Sequence, residues 1–257
     1  MFFISRSSAV RRSKIFDLAY EFDWSLPFEE PYLSMMITGV KLTLLLLVTT
    51  TFSSLILGTV LAVMRVSRIK TLRILGTIYV EICRNIPGLF WVLFFYFVFP
   101  EILPYGWGDV LNHYDDYPVV AGIIGLTVDN SSYVSDILRS GRITIPHGQR
   151  EAAMSSGLGR VQQWVYVILP QMYRAALPPL GTRMVHNFKN TSLCMAITAP
   201  ELTWATQQIE SLTFRGIEAT AIATIFYIIL AGVMVSIIIM LEKVLRIDVS
   251  SITQSKA

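Results

Sequence analysis

In an otherwise apolar sequence, a few ionisable and amide side chains stand out: Glu81, Arg84 and Asn85, then Asp129 and Asn130, then Lys189 and Asn190. Glu81 and Arg84 are three residues apart and share one face of a helix. They can pair structurally at a membrane interface, or form a charged vestibule for a zwitterion. Asp129 and Asn130 lie in the middle of a hydrophobic stretch, where an unpaired carboxylate is costly and ionisable groups face a partner or a water-filled path. The same holds for Lys189 and Asn190. Lys189 or Arg84 can receive an anion or pair with Asp129, and the sequence leaves both open.

Other chemistry is poorly supported. No GxxxxGK[ST] run occurs, so the chain has no loop to cradle ATP phosphates. His113, His147 and His186 are isolated and lack metal-ligand spacing, and no Ser, His and acid set suggests acyl transfer. Cys83 and Cys194 stand far apart in apolar surroundings and read as small core residues. The expectation is a chain with no catalytic site, no metal and no cofactor of its own.

The elements that position these residues follow from composition. The chain has 257 residues, 53% hydrophobic and 15% charged, with a mean hydropathy of +0.55. A soluble domain carries roughly 25% charged residues, so the polar surface needed in water is missing. This excludes a disordered chain, a disulfide-stapled secreted domain and an ordinary soluble enzyme. The net charge of +3 is too small to indicate nucleic-acid binding. Residues 1–14 have no apolar stretch of signal-sequence length, so a retained N-terminal tail is expected.

Crossing about 30 Å of hydrocarbon takes roughly 20 apolar residues in a helix. Five spans are predicted: Met35–Met64, Leu75–Phe99, Pro118–Leu138, Met184–Ile197 and Ala219–Met240. In the first, Lys41 sits near one end and can snorkel. The second is interrupted by Glu81, Arg84, Asn85 and Pro87-Gly88 and is fully apolar only from Leu89. Basic residues cluster at Arg65, Arg68, Lys70 and Arg73, and at Arg139, Arg142, Arg150, Arg160, Arg174 and Arg183, whereas residues 100–117 contain none. The positive-inside rule makes the two basic loops cytoplasmic. Lys243, Arg246 and Lys256 then lie inside, and the N-terminus outside despite Arg6, Arg11, Arg12 and Lys14.

The loop after the third span is too long for a simple connection. Gln149–Ser156 is predicted as a short helix with Glu151 near its positive end, stopped by Gly157 and Gly159. A second helix over Val161–Ile168 aligns Val161, Trp164, Val165 and Ile168 on one face, and Leu169-Pro170 is expected to end it. Such a braced, protruding helix suits docking into a partner's groove.

This loop resembles the signature of ABC importer membrane subunits, specifically the polar amino-acid permeases: Glu151-Ala152-Ala153, Gly157 at the family offset, and Leu169-Pro170 with Val167 in the Ile place. The similarity extends to Ile145-Pro146-His147-Gly148-Gln149, Pro178-Pro179-Leu180 and Lys189-Asn190-Thr191-Ser192-Leu193, where the family usually has Asp after the Lys. It also includes Tyr79-Val80-Glu81, Arg84-Asn85-Ile86-Pro87, and a 99–104 segment similar to the glutamate/aspartate branch. Ser135-Asp136 departs from the Ala-Glu of many members, which puts any pairing inferred for Asp136 in question.

The resemblance implies an all-α, polytopic type I ABC importer permease fold over residues 35–245, with a coupling loop at 139–183. A periplasmic tail (1–34) would precede it and a cytoplasmic tail (246–257) follow it, in a bacterial inner membrane. It implies that Glu151, Ala152, Ala153 and Gly157 seat the coupling helix in a separate ATPase that holds ATP-Mg. Two alanines permit close approach, Glu151 can pair with a basic residue, and Gly157 allows a sharp turn. The implied partners are a second permease subunit, an ATPase dimer and a periplasmic binding protein. The implied cargo is a polar amino acid such as glutamate or aspartate, with glutamine, a basic amino acid or an opine as alternatives. Two other classes stay open: a membrane enzyme built on Asp129, Asp136 and Arg139, and a proton-coupled transporter using Asp129.

Overall fold

The longest apolar run builds the longest helix. In the computed structural model, which describes residues 21–244, Tyr32–Arg65 forms α1, about 50 Å long at about 1.5 Å per residue. The broken second span becomes α2, Lys70–Asn85, and α3, Gly88–Leu93, which runs on through a π-helical turn to Ile102. A short α4, Trp107–Asn112, follows. Next come α5, Tyr117–Ile143, and α6, His147–Ser155. A wound segment from Arg160 leads into α7, Leu169–Asn190. After a 3-10 turn, Thr191–Ile197, come α8, Leu202–Thr213, and α9, Gly216–Val244.

Several of the expected elements take a different form. Leu75–Phe99 is not one helix: α2 and the α3 segment meet at 105° across Ile86-Pro87. Proline disfavours helical geometry in the residue before it, and Ile86 is extended (φ −103°, ψ 127°). Met184–Ile197 is not a separate span either, but the end of α7 and the 3-10 turn after it. Leu169-Pro170 fails to stop the chain because residues 163–168 form a π-helical turn, in which Leu169 N–H reaches back five residues to Trp164 O. That wider turn accommodates a ring that an ordinary helical interior would reject. Helix α8 has no counterpart among the expected elements.

By length and composition α1 and α9 can each cross a membrane, and the α2–α3 pair adds a third crossing if it counts as one broken span. Helices α5 and α7 are too polar by that measure, and on α5 the polar residues are turned inward. Asp129, Asn130, Ser131, Ser132 and Ser135 of α5 are all buried. The most extensive packing is α1 along α5, followed by α5 against α7. Small residues allow the close approach: a Cβ on Gly58 of α1 would stand 2.5 Å from Val134 of α5. Buried clusters join Ala62, Val134, Leu138, Met172 and Leu180 at one end and Leu46, Val92, Leu126 and Ile197 at the other. Cys83 and Cys194 are free and buried, as expected of core residues. On α9 only Glu218, Ala219 and Ala223 are buried, and the exposed Ile225, Ile228, Ile229 and Val233 suit contact with lipid.

The N-terminal region is more than a tail. Residues 1–20 lie outside the described residues, with their four basic side chains, as do Arg246, Lys256 and the segment 245–257. Residues 21–31, however, are tied to the start of α9. Asp23 N–H donates to Glu218 Oε1 at 3.0 Å, and Arg215 Nη1 donates to Glu21 O at 2.9 Å.

Candidate functional site

Helix α5 carries Asp129, Tyr133 and Asp136 at i, i+4 and i+7, which places them along one stripe. Arg183 of α7 reaches this stripe. Its Nη2 donates to Asp129 Oδ2 at 2.7 Å, its Nε donates to Asn130 Oδ1, and its guanidinium carbon lies 3.8 Å from the centroid of the Tyr133 ring. Arg84 of α2 lies over the same ring at 5.4 Å and donates to Asp136 Oδ2. Arg65, at the end of α1, donates to the other Asp136 oxygen at 2.5 Å. Three guanidinium groups therefore share two carboxylates, leaving one positive charge in the cluster.

The surrounding bonds fix the geometry. Asn130 Nδ2 donates to Ser54 Oγ at 2.6 Å, and Asn187 Nδ2 donates to Thr50 Oγ1 at 2.7 Å, so α1 anchors both amides. The turn between α2 and α3 closes over the carboxylate: a Cβ on Gly88 would lie 3.2 Å from Asp129 Cγ. Three elements, α5, α7 and the start of α3, thus meet at Asp129, and α1 holds the adjacent Asn130. Relative motion of α5, α7 and the α2–α3 bend would alter the buried Asp129–Arg183 pair.

The predicted path residues do not all converge. Asp129 and Asn130 sit together at the centre, and Arg84 joins through Asp136 and Tyr133 rather than through Glu81. Glu81 is exposed and forms no ion pair among the described residues. Asn85 is also exposed, its amide donating to the Glu81 carbonyl at 2.7 Å. Lys189 does not pair with Asp129. It is exposed and lines a separate cavity of about 530 Å³ with Thr203, Thr206, Thr220 and Tyr227. Asn190 is half-buried beside it in sequence and outside the cluster. Arg139 is exposed, so the set of Asp129, Asp136 and Arg139 considered for a membrane enzyme is not assembled.

Arg183, Arg65, Tyr133 and Asn187 join the site without being singled out by sequence pattern. Arg65 and Arg183 read as loop charges in the sequence, yet Arg65 is buried and Arg183 is largely so, which removes them from the orientation tally. One signal is present: Arg183, Asn187 and Asn190 recur at i, i+4 and i+7. Glu201 is a further unforeseen residue. It is fully buried and caps α8, accepting from Thr203 N–H at 2.9 Å and Trp204 N–H at 2.8 Å, and from the Tyr227 hydroxyl of α9 at 3.0 Å.

The second candidate site is the loop helix α6. Gly157 adopts φ +74° after the helix. Its N–H donates to Met154 O and the Leu158 N–H to Ala153 O, a Schellman arrangement that satisfies the last carbonyls. Glu151 and Ala152 are exposed, whereas Ala153 is buried within the chain itself. Close approach by a partner is therefore possible at Ala152 and blocked at Ala153. The brace also differs from expectation: Gln163 and Ile168, five apart, turn inward, and Val161 and Val165 stay exposed, because the π turn shifts the register.

Comparison with known proteins agrees with this architecture. Residues 54–245 match the family described as the binding-protein-dependent transport system inner membrane component. The chain is 34% identical over 197 residues to the probable glutamine ABC transporter permease protein GlnM of Bacillus subtilis, covering 77% of this chain and 87% of that one. It is 31% identical over 227 residues to the glutamine transport system permease protein GlnP of Escherichia coli K12, covering 88% and 99%. It is 33% identical over 179 residues to the glutamate/aspartate import permease protein GltK of E. coli, covering 70% and 78%. Among solved structures, an amino acid ABC transporter crystallised with histidines superposes with a TM-score of 0.72 at 26% identity, covering 87% of this chain and 99% of that one. The MetNI methionine transporter, at 18% identity, covering 84% and 99% with a TM-score of 0.67, shares the fold. The broken α2–α3 pair, the inward-facing polar stripe of α5 and the loop helix α6 are thus features of a chain that belongs to the family of binding-protein-dependent transport system inner membrane components.

Proposed function

We propose that this chain is the membrane-spanning permease subunit of an ATP-binding-cassette importer for polar amino acids, of the glutamine and glutamate/aspartate kind. The observation that carries the reading is α6: a nine-residue helix in the loop between α5 and α7, bearing exposed Glu151 and closed by a left-handed Gly157. It is suited to seat in a cleft of a separate ATPase, which would hold ATP-Mg. The relatives' names support the cargo class. The permease itself catalyses no reaction.

In this reading the N-terminus faces the periplasm, α6 and the C-terminus face the cytoplasm, and a binding protein delivers the amino acid from outside. A second permease subunit completes the pathway. Closure of the ATPase dimer moves α6, and the bundle rocks between inward- and outward-facing states. The Asp129–Arg183 pair lies where α5, α7 and the α2–α3 bend meet, so it is the best-placed group to feel that motion. A proton-coupled mechanism through Asp129 is less well supported, because Arg183 already neutralises that carboxylate.

Reconstitution decides the matter. Proteoliposomes holding this chain with its partner permease subunit, ATPase and binding protein should take up labelled glutamine or glutamate only when ATP is enclosed. Uptake driven by a proton gradient without ATP would overturn the assignment.

A further inference from the structure

A cavity of about 240 Å³ lies between the end of α1, the end of α5, α6 and the segment from Arg160 that precedes α7. Its polar lining includes four arginines, Arg68, Arg142, Arg150 and Arg160, with Gln163, and no carboxylate. None of the four forms an ion pair among the described residues. Arg142 and Arg150 are half-buried, and Arg142 lies 5.8 Å from the centroid of the Trp164 ring. A smaller cavity of about 190 Å³ on the other side is also lined by Arg142 and Arg150.

Like charges gathered in partly desolvated space repel one another, and an anion between them reverses the sign of the interaction. Guanidinium forks match phosphate oxygens bidentately, which a single carboxylate would satisfy less fully. The space is below the range of about 300–1,000 Å³ usual for drug-sized ligands, and suits a compact group. Val63, Val66 and Ile69 give the same cavity an apolar rim at the end of the span α1, the place where a lipid headgroup would lie.

We propose that this cavity binds a phosphate group, gripped by Arg142 and Arg150 with Arg68 and Arg160 at its rim. The phosphate belongs to an anionic phospholipid headgroup or to a soluble phosphate. A bound phosphate would tie the ends of α1 and α5 to α6, so that the loop helix and the bundle move as one body. The inference concerns ligand binding by the chain alone, and stands or falls independently of the amino-acid cargo.

The test uses the full chain purified in detergent, with two variants: Arg142→Gln/Arg150→Gln, and Arg68→Gln/Arg160→Gln at exposed positions where folding is not at risk. Native mass spectrometry compares retention of phosphatidylglycerol and phosphatidylcholine, and thermal melting compares sodium phosphate with sodium chloride at equal ionic strength. Preferential retention of phosphatidylglycerol, reduced about tenfold in the first variant and severalfold in the second, identifies the lipid source. A rise in Tm with phosphate alone, lost in the variants, identifies the soluble source. Absence of either preference, or variants that bind like the parent, overturns the proposal. It is equally overturned if the variants bind phosphate normally but no longer hold the ATPase, since the arginines would then serve an acidic protein surface.

Discussion

Arg183 donates to Asp129 at 2.7 Å while its guanidinium group lies against Tyr133, so one side chain of α7 is held by three neighbouring residues of α5. Asn130 supplies the third contact. Removing one partner of a buried pair leaves the other charge uncompensated, which costs about 3–5 kcal/mol. Arg183→Met should therefore lower the melting temperature in detergent markedly, and Asp129→Asn/Arg183→Met should recover much of the loss. A double variant as unstable as the sum of its single variants would show that the pair is not coupled.

Asp136 carries two arginines, and one of them, Arg65, is buried. Asp136→Ala should destabilise more than Arg84→Ala, because it strands a buried guanidinium while the latter removes a half-exposed one. Restoring the carboxylate as Asp136→Glu should recover most of the stability. Thermal melting of the three variants gives the order, and equal losses would argue that Arg65 finds another acceptor.

At Gly157 the backbone is left-handed, which costs a residue with a Cβ roughly 1–2 kcal/mol. Gly157→Val should leave the bundle folded but distort the end of α6. ATP hydrolysis in reconstituted vesicles should then proceed without matching amino-acid uptake. Normal uptake per ATP would separate this turn from coupling.

Glu201 caps α8 and binds the Tyr227 hydroxyl of α9 at the same time. Loss of a helix cap costs about 0.5–2 kcal/mol. Glu201→Ala should exceed that range because the Tyr227 hydroxyl also loses its acceptor, and Tyr227→Phe should be milder. Chemical or thermal unfolding of the two variants checks the ranking.

Orientation can be read directly. Met154 of α6 is 55% exposed, so in a variant lacking Cys83 and Cys194, Met154→Cys should react with a membrane-impermeant maleimide only from the cytoplasmic side. Labelling from the outside would invert the topology proposed above.

The sequence alone determined the class of molecule, the long helices α1, α5 and α9, the α6 turn at Gly157 and the need for a partner at Asp129, because these depend on local apolar runs, on a residue without Cβ and on the cost of charge in an apolar stretch. It misjudged the helix boundary at Leu169-Pro170, since whether proline ends a helix depends on the turn preceding it, and the π turn at residues 163–168 is not visible in the hydrophobic pattern. It also could not choose a partner for Asp129. Arg84, Lys189 and Arg183 carry the same charge, and only the crossing of α5 with α7 brings the last of them within bonding distance. Side-chain pairing between helices distant in sequence is a property of their packing, and that was decided by the tertiary structure.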